Sequence, residues 1–209
     1  MIKIIKDFLP EQEAKAISTA IYNTPSNWWS YAYKHAGLEK PKYFTDTAFG
    51  TSERKKEDVL VTNSFQTGAF SYKFRRSTTH VPTCTCYECN FKKQYLEKEV
   101  KTLVSEVCSF KNPYIFESFT SVYSSGDFLN THKDHNRGVA FIYQLTPNWL
   151  PEYGGALHIL GDEPQVIYPE FNTLTLMQLE NDGVPHFVSE VSERAPYARV
   201  AITGWYNES

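Results

Sequence analysis

From Tyr114 to Tyr206 the chain is cut into seven short runs rich in β-branched and aromatic residues, each bounded by a turn signal. The runs are 114–123, 139–145, 155–160, 165–168, 173–179, 186–191 and 199–206. Ser-Ser-Gly-Asp, Thr-Pro-Asn, Gly-Gly, Gly-Asp-Glu-Pro and Asn-Asp-Gly punctuate them. Short strands with such turns predict an antiparallel sandwich or barrel. The N-terminal half reads differently. Residues 3–9 form an opening strand, and Pro10 with Glu11 and Glu13 starts a helix, since proline suits a first turn and acidic groups suit its positive dipole end. Ala14, Ile17, Ala20 and Ile21 are its apolar stripe. Phe91, Tyr95, Leu96, Val100, Leu103, Val104 and Val107 recur at helical spacing across 91–110. The predicted class is α+β, with N-terminal helices buttressing a double-sheet barrel.

Between the two helices the pattern is weaker. Residues 69–77 alternate as a strand with Phe70, Tyr72 and Phe74 on one side, and the charge run 50–58 reads as a solvated loop. Trp28, Trp29, Tyr31, Tyr33, Arg75 and Arg76 either line a groove or divide between core and surface. A length of 209 residues suits one domain, and 41% hydrophobic with 15% aromatic residues excludes a disordered chain. The net charge of −3 gives no electrostatic case for nucleic acid or an acidic membrane surface. The first six residues do not read as a signal peptide, and no run approaches the roughly 20 apolar residues of a membrane span. These features predict a soluble cytoplasmic protein.

His132 and Asp134 stand two apart in Phe128-Leu-Asn-Thr-His-Lys-Asp-His-Asn-Arg-Gly138. On an extended chain such residues share a face, so imidazole and carboxylate project together and Lys133 looks away. That tripeptide is common and supplies half of a metal site. His186, in Val184-Pro-His-Phe-Val188, is the candidate third ligand. Two His and one carboxylate on one face of an iron leave the opposite positions open, the usual Fe(II) oxygenase arrangement. The other histidines carry less. His135 is odd-spaced from Asp134 and predicted to face away, His158 belongs to the outer face, and His35 sits in an aromatic loop without a visible partner. Asp127 and Asp182 fall in turns, where the residue type is favoured locally.

In Arg199-Val-Ala-Ile-Thr-Gly-Trp205, alternation puts Arg199, Ala201 and Thr203 on one face, with Val200 and Ile202 opposite. An arginine among small groups calls for an anion, because burying an unpaired charge is expensive. A guanidinium binds a carboxylate through two parallel hydrogen bonds. A surface arginine at a strand start is the plain alternative. Three of the four cysteines cluster as Cys84-Thr-Cys86-Tyr-Glu-Cys89, with His80 four residues earlier. These four side chains suit tetrahedral Zn²⁺, although the spacing is not that of paired Cys-x-x-Cys motifs. Reduced loop thiols and a disulfide are the alternatives.

Taken in order, His132-x-Asp134, Gly154-Gly-Ala-Leu-His-Ile159, Pro185-His186 and Arg199-Val-Ala-Ile-Thr-Gly-Trp-Tyr206 resemble the prolyl-4-hydroxylase-like 2-oxoglutarate/Fe(II)-dependent dioxygenases. The ending is most similar to that of the hypoxia-sensing prolyl hydroxylases. The resemblance covers about 114–206 and implies a double-stranded β-helix (jelly-roll) core at 113–207, supported by 1–112 with a Cys-bearing loop at 77–90, in a single dioxygenase domain over 1–209. It places the iron on His132, Asp134 and His186 and the far carboxylate of 2-oxoglutarate on Arg199. Tyr123, nine residues before His132, falls near a cosubstrate-contacting tyrosine; Leu157 falls on the apolar pocket wall and Thr203 faces inward. Gln144 stands where the subgroup has a second tyrosine, and the thirteen-residue step from His186 to Arg199 is longer than in that subgroup. The implied cofactors are Fe(II), 2-oxoglutarate, O₂ and ascorbate, and the implied substrate is a prolyl residue of a peptide or protein. A small-molecule hydroxylase, a non-catalytic cupin-like binding module and a zinc-stabilised interaction module are the other readings.

Overall fold

The computed structural model describes residues 1–45, 48, 50–78, 80–81, 83–179 and 183–209. In chain order the elements are β1 (Ile2–Ile5), α1 (Glu11–Tyr22), β2 (Trp29–Lys34), β3 (Lys42–Thr45), α2 (Ser52–Gln66) and β4 (Tyr72–Ser77). A long helix, α3, follows as Tyr87–Phe91, a π-helical stretch Lys92–Val100, and Lys101–Cys108. Then come β5 (Pro113–Tyr123), β6 (Phe128–His132), β7 (Val139–Gln144), β8 (Leu157–Ile159), β9 (Gln165–Ile167), β10 (Thr173–Gln178), β11 (His186–Val188) and β12 (Arg199–Glu208).

The strands run in the order β1-β10-β7-β12-β5-β4-β6-β11-β8-β9 and curl into an antiparallel jelly-roll half-barrel. β4 is the hinge of the curl: Arg75 and Arg76 pair with β5, whereas Tyr72 and Lys73 pair with β6. β2 and β3 extend the sheet beyond β4. Alternation then sorts two cores. Val139, Phe141 and Tyr143 of β7 and Val200, Ile202 and Tyr206 of β12 pack under α1 and α3. Ala140 of β7, Met177 of β10, Leu157 of β8 and Val188 of β11 face the barrel interior instead. The α+β class read from the pattern is the one observed.

The stripe of α3 explains its irregular middle. Its buried apolar residues are Phe91, Leu96, Val100, Val104 and Cys108. Every step is four residues except the first, which is five, and the wider turn of the π-helical stretch holds Phe91 and Leu96 on one face. Ser109, in the left-handed region at φ 58°, ends the helix.

Three local readings are corrected. The charge run at 50–58 is not a loop: it opens α2, whose N-cap Thr51 side chain accepts from the Arg54 amide. Its buried stripe is Arg54, Glu57, Val61 and Ser64, largely polar, so hydrophobic periodicity cannot reveal it. β6 was missing from the predicted strands because Asn130, Thr131 and His132 give it no apolar alternation. The opening strand stops at Ile5, where Asp7 turns the chain at φ 51°. Asp182 and the adjoining Asn181 turn signal lie outside the described residues. Among the described residues no helix is long and apolar enough to cross a membrane.

Candidate metal centre

Antiparallel pairing of β6 with β11 sets His132 directly opposite His186, and their ring centroids are 4.2 Å apart. Asp134 is not on the strand with His132, contrary to the alternation argument. β6 ends at His132 and a turn, with the His135 amide on the Lys133 carbonyl at 3.1 Å, brings Asp134 back. The outcome is the shared face that alternation anticipated. Asp134 Oδ1 is 3.4 Å from His132 Nε2, and Oδ2 is 3.4 Å from His186 Nε2. Lys133 and His135 are exposed and point outward.

Each imidazole is oriented by the backbone two residues earlier. His132 Nδ1 is 3.0 Å from the Asn130 carbonyl and His186 Nδ1 is 2.7 Å from the Val184 carbonyl. A carbonyl only accepts, so Nδ1 carries the proton and a neutral ring presents its Nε2 lone pair inward. Two lone pairs and a carboxylate then converge where only a cation satisfies all three, which fits a divalent metal. Burial works against the Asp134 charge, but protonated His132 and His186 would outweigh it and hold the carboxyl far below the usual range, a role a cation takes over when the rings are neutral. The Trp205 indole donates to Asp134 Oδ2 at 2.8 Å. Trp205 continues the inward register of Arg199, Ala201 and Thr203, the signal by which it was legible in the sequence.

The triad opens onto a barrel cavity of about 390 Å³, within the range of small-molecule sites. Arg199 lies in its wall, 3% exposed. Its Nη2 donates to Gln144 Oε1 at 3.3 Å, its Cζ sits 5.0 Å from the Tyr123 ring centre, and its Nε has no hydrogen-bond partner among the described residues. Desolvation pulls its pKa down, as expected of a cation lacking an anion. Gly155, at φ 67°, lets the chain pass here: a Cβ would stand 3.0 Å from Arg199 Cδ. The surface alternative for Arg199 is therefore excluded.

The remaining candidates divide. Tyr123, Leu157 and Thr203 line the cavity, Tyr123 stacked on Phe74 at 4.9 Å and Thr203 donating to the Phe141 carbonyl at 3.0 Å. Gln144 stands behind Arg199 as its acceptor. Arg76 lines the mouth, paired with Glu117 at 2.7 Å, while Arg75 binds Ser124 Oγ and Trp29 and Tyr33 are core. Phe70, just before β4, also lines the cavity, 5.5 Å from His132 ring to ring. His35 does have a partner: its Nε2 is 3.0 Å from the buried Glu57 carboxylate, which also takes Lys42. His158 stacks on Phe187 at 4.3 Å, away from the cavity. Asp127 closes its turn through the Ser124 amide at 2.8 Å.

The family model described as the 2OG-Fe(II) oxygenase superfamily matches residues 118–207, from β5 to β12. Members of this family imply Fe(II), 2-oxoglutarate and O₂, and the His-Asp-His set such a metal needs is present. Three solved structures share the fold over essentially the whole chain. A Pseudomonas putida prolyl-4-hydroxylase is 15% identical at TM-score 0.63, covering 100% of this chain and 92% of its own. A Trichoplax adhaerens prolyl hydroxylase, solved with a hypoxia inducible factor oxygen degradation domain peptide fragment, is 18% identical at TM-score 0.62, covering 99% and 83%. A viral collagen prolyl hydroxylase from Paramecium Bursaria Chlorella virus-1, solved with 2OG, is 12% identical at TM-score 0.56, covering 100% and 96%. Among curated proteins none matches. The family model and these folds bear out the resemblance read from the motifs.

Proposed function

We propose that this chain, matched over residues 118–207 by the 2OG-Fe(II) oxygenase superfamily, is a 2-oxoglutarate-dependent dioxygenase that hydroxylates a prolyl residue of a peptide or protein. The observation that carries the oxygenase reading is the joint placement of His132, Asp134, His186 and the buried Arg199 around one cavity. Three protein ligands leave metal positions free for a cosubstrate and O₂. His132, Asp134 and His186 would hold the iron, which with 2-oxoglutarate and O₂ would supply the oxidation, one oxygen atom going to the substrate and one to succinate with loss of CO₂.

This chain's own residues orient and exclude. Arg199 offers two parallel N–H groups to a carboxylate in a wall otherwise made by Leu157, Val188 and Tyr123. Carbonyls of Asn130 and Val184 hold the imidazole protons outward, and Trp205 fixes the Asp134 carboxylate. Phe70, Tyr72, Phe119 and Trp205 give the cavity an aromatic rim, and Arg76 and Glu117 add charge of both signs. A rim of this kind suits the apolar ring and polar backbone of a prolyl peptide, the ligand class of the Trichoplax relative.

The test is succinate formation by purified protein with Fe(II), 2-oxoglutarate and a proline-containing peptide library read by mass shift. His132→Ala and Asp134→Ala are expected to lower turnover by a factor of about a hundred or more. Equal turnover in all three proteins would defeat the oxygenase reading. Turnover without a hydroxylated peptide would leave the oxygenase and remove the prolyl assignment.

A further inference from the structure

The connection from β4 to α3 brings a second set of metal-binding side chains together, outside the barrel cavity. His80 Nδ1 and the sulfurs of Cys84, Cys86 and Cys89 all lie within 4.8 Å of one another. His80 Nδ1 is 3.5 Å from Cys84 Sγ and 3.6 Å from Cys86 Sγ. For zinc bonds of about 2.3 Å to sulfur and 2.0–2.1 Å to nitrogen, a tetrahedron has a nitrogen–sulfur edge of about 3.6 Å. The backbone bends to the same point: the Cys86 and Cys89 amides each approach a sulfur, of Cys84 and Cys86, at 3.5 Å. All four cysteines are free thiols, so the disulfide reading does not describe this loop.

What surrounds these donors is built as well. The other ring nitrogen of His80, Nε2, is buried 3.2 Å from Glu88 Oε1, an ion-pair distance whose angle is not that of a hydrogen bond. Glu88 is buried, and its second oxygen accepts from the Thr120 amide at 2.9 Å and the Thr120 hydroxyl at 2.5 Å. A carboxylate on the far nitrogen of a histidine sets the tautomer and strengthens the ligand, the usual support of a protein zinc site. Thr120 belongs to β5, and its neighbours Phe119 and Ser121 line the barrel cavity.

We propose that His80, Cys84, Cys86 and Cys89 hold one Zn²⁺ in a closed tetrahedral structural site, which staples the β4–α3 connection to β5 through Glu88 and Thr120. Four protein ligands leave no position for substrate, so the site serves the fold rather than the reaction. It contributes by tying that connection to the wall of the cavity, since metal binding free energy at such a site is folding free energy. This inference rests on the donor set and the Glu88–Thr120 contacts and stands apart from the oxygenase reading.

The experiment uses the full chain carrying Asp134→Ala, which cripples the barrel triad, under reducing conditions. Loaded with Zn²⁺ and freed of excess, it is expected to retain one zinc per chain by elemental analysis, with a raised Tm. Loaded with Co²⁺ instead, it is expected to show thiolate-to-cobalt charge-transfer absorption, which the sulfur-free triad has no means to produce. Adding Cys86→Ser and Cys89→Ser is expected to abolish both signals. No retained zinc and no charge transfer in the Asp134→Ala chain would overturn the proposal, as would an intact mass showing a disulfide. If the double cysteine variant fails to fold, alkylation decides: zinc must protect the three clustered thiols of the otherwise native chain, and unprotected thiols sink the idea.

Discussion

Two clusters of metal-ligating side chains sit on opposite sides of β5, and they differ in how many donors they bring and how far apart in the chain those donors start. The barrel cluster has three donors, His132, Asp134 and His186, facing a cavity of about 390 Å³. The loop cluster has four, all between His80 and Cys89. Three donors beside open space leave coordination positions for chemistry, whereas four close the shell. The surroundings follow the same division. The barrel cluster shares its cavity with a buried guanidinium whose Nε is unpaired. Behind the loop cluster, the Glu88 carboxylate is engaged on both oxygens, by His80 and by Thr120. The first set faces open space in the cavity, and the second is backed by its own chain.

The sharpest way to break this contrast is Arg199→Leu. If the cavity awaits a dicarboxylate, the apparent affinity for 2-oxoglutarate is expected to fall by roughly 30- to 5,000-fold, the equivalent of about 2–5 kcal/mol for losing one partner of a buried charge pair. The ligand-free protein should melt no lower, because the substitution removes an uncompensated buried charge. Titration calorimetry with 2-oxoglutarate and a thermal melt read the two halves, and a large loss of Tm with unchanged affinity would make Arg199 merely structural. Glu88→Gln comes next. Support by an outer carboxylate is worth about 10- to 100-fold in metal affinity, so zinc should bind that much more weakly while the barrel metal is unaffected. Trp205→Phe is the mirror case. It removes one hydrogen bond from Asp134 and should weaken Fe(II) binding about tenfold, with zinc retention unchanged. An effect of either substitution on both metals would show that the clusters are coupled through β5.

The smallest expected effect lies outside both clusters, in a carboxylate engaged by protein groups alone. Burial alone would raise the pKa of Glu57, but Lys42 and His35 lower it below its ordinary 4.5. Its folded pKa is depressed, so its contribution is present above 4.5 and is lost as the pH falls through the lower folded value. Glu57→Gln should cost roughly 1–2 kcal/mol at neutral pH and flatten the stability profile below pH 4.5. Urea midpoints between pH 3 and 7 measure it; a profile as steep as that of the parent chain would refute the assignment.

The barrel was legible because its strands keep strict alternation: Val200 and Ile202 against Arg199, Ala201 and Thr203 separate core from cavity in sequence and in space alike. Trp205 was one step further along the same alternation and went unused. α2 was illegible because its inward face is Arg54, Glu57 and Ser64, and polar groups reach an interior only when partners elsewhere satisfy them. Those partners, Tyr33, His35 and Lys42, come from β2, from just beyond it and from β3, so no local window contains both sides of the bargain.

By itself the sequence determined the donor types, their order, the period of each strand and the family motifs they resemble, because these are properties of neighbouring residues. Only the tertiary structure decided that His132 faces His186 across one strand pair, that Asp134 returns through a turn, and that Arg199 is buried in the cavity wall. Distances between residues more than fifty positions apart are set by strand register and sheet curl, which depend on the packing of the whole chain.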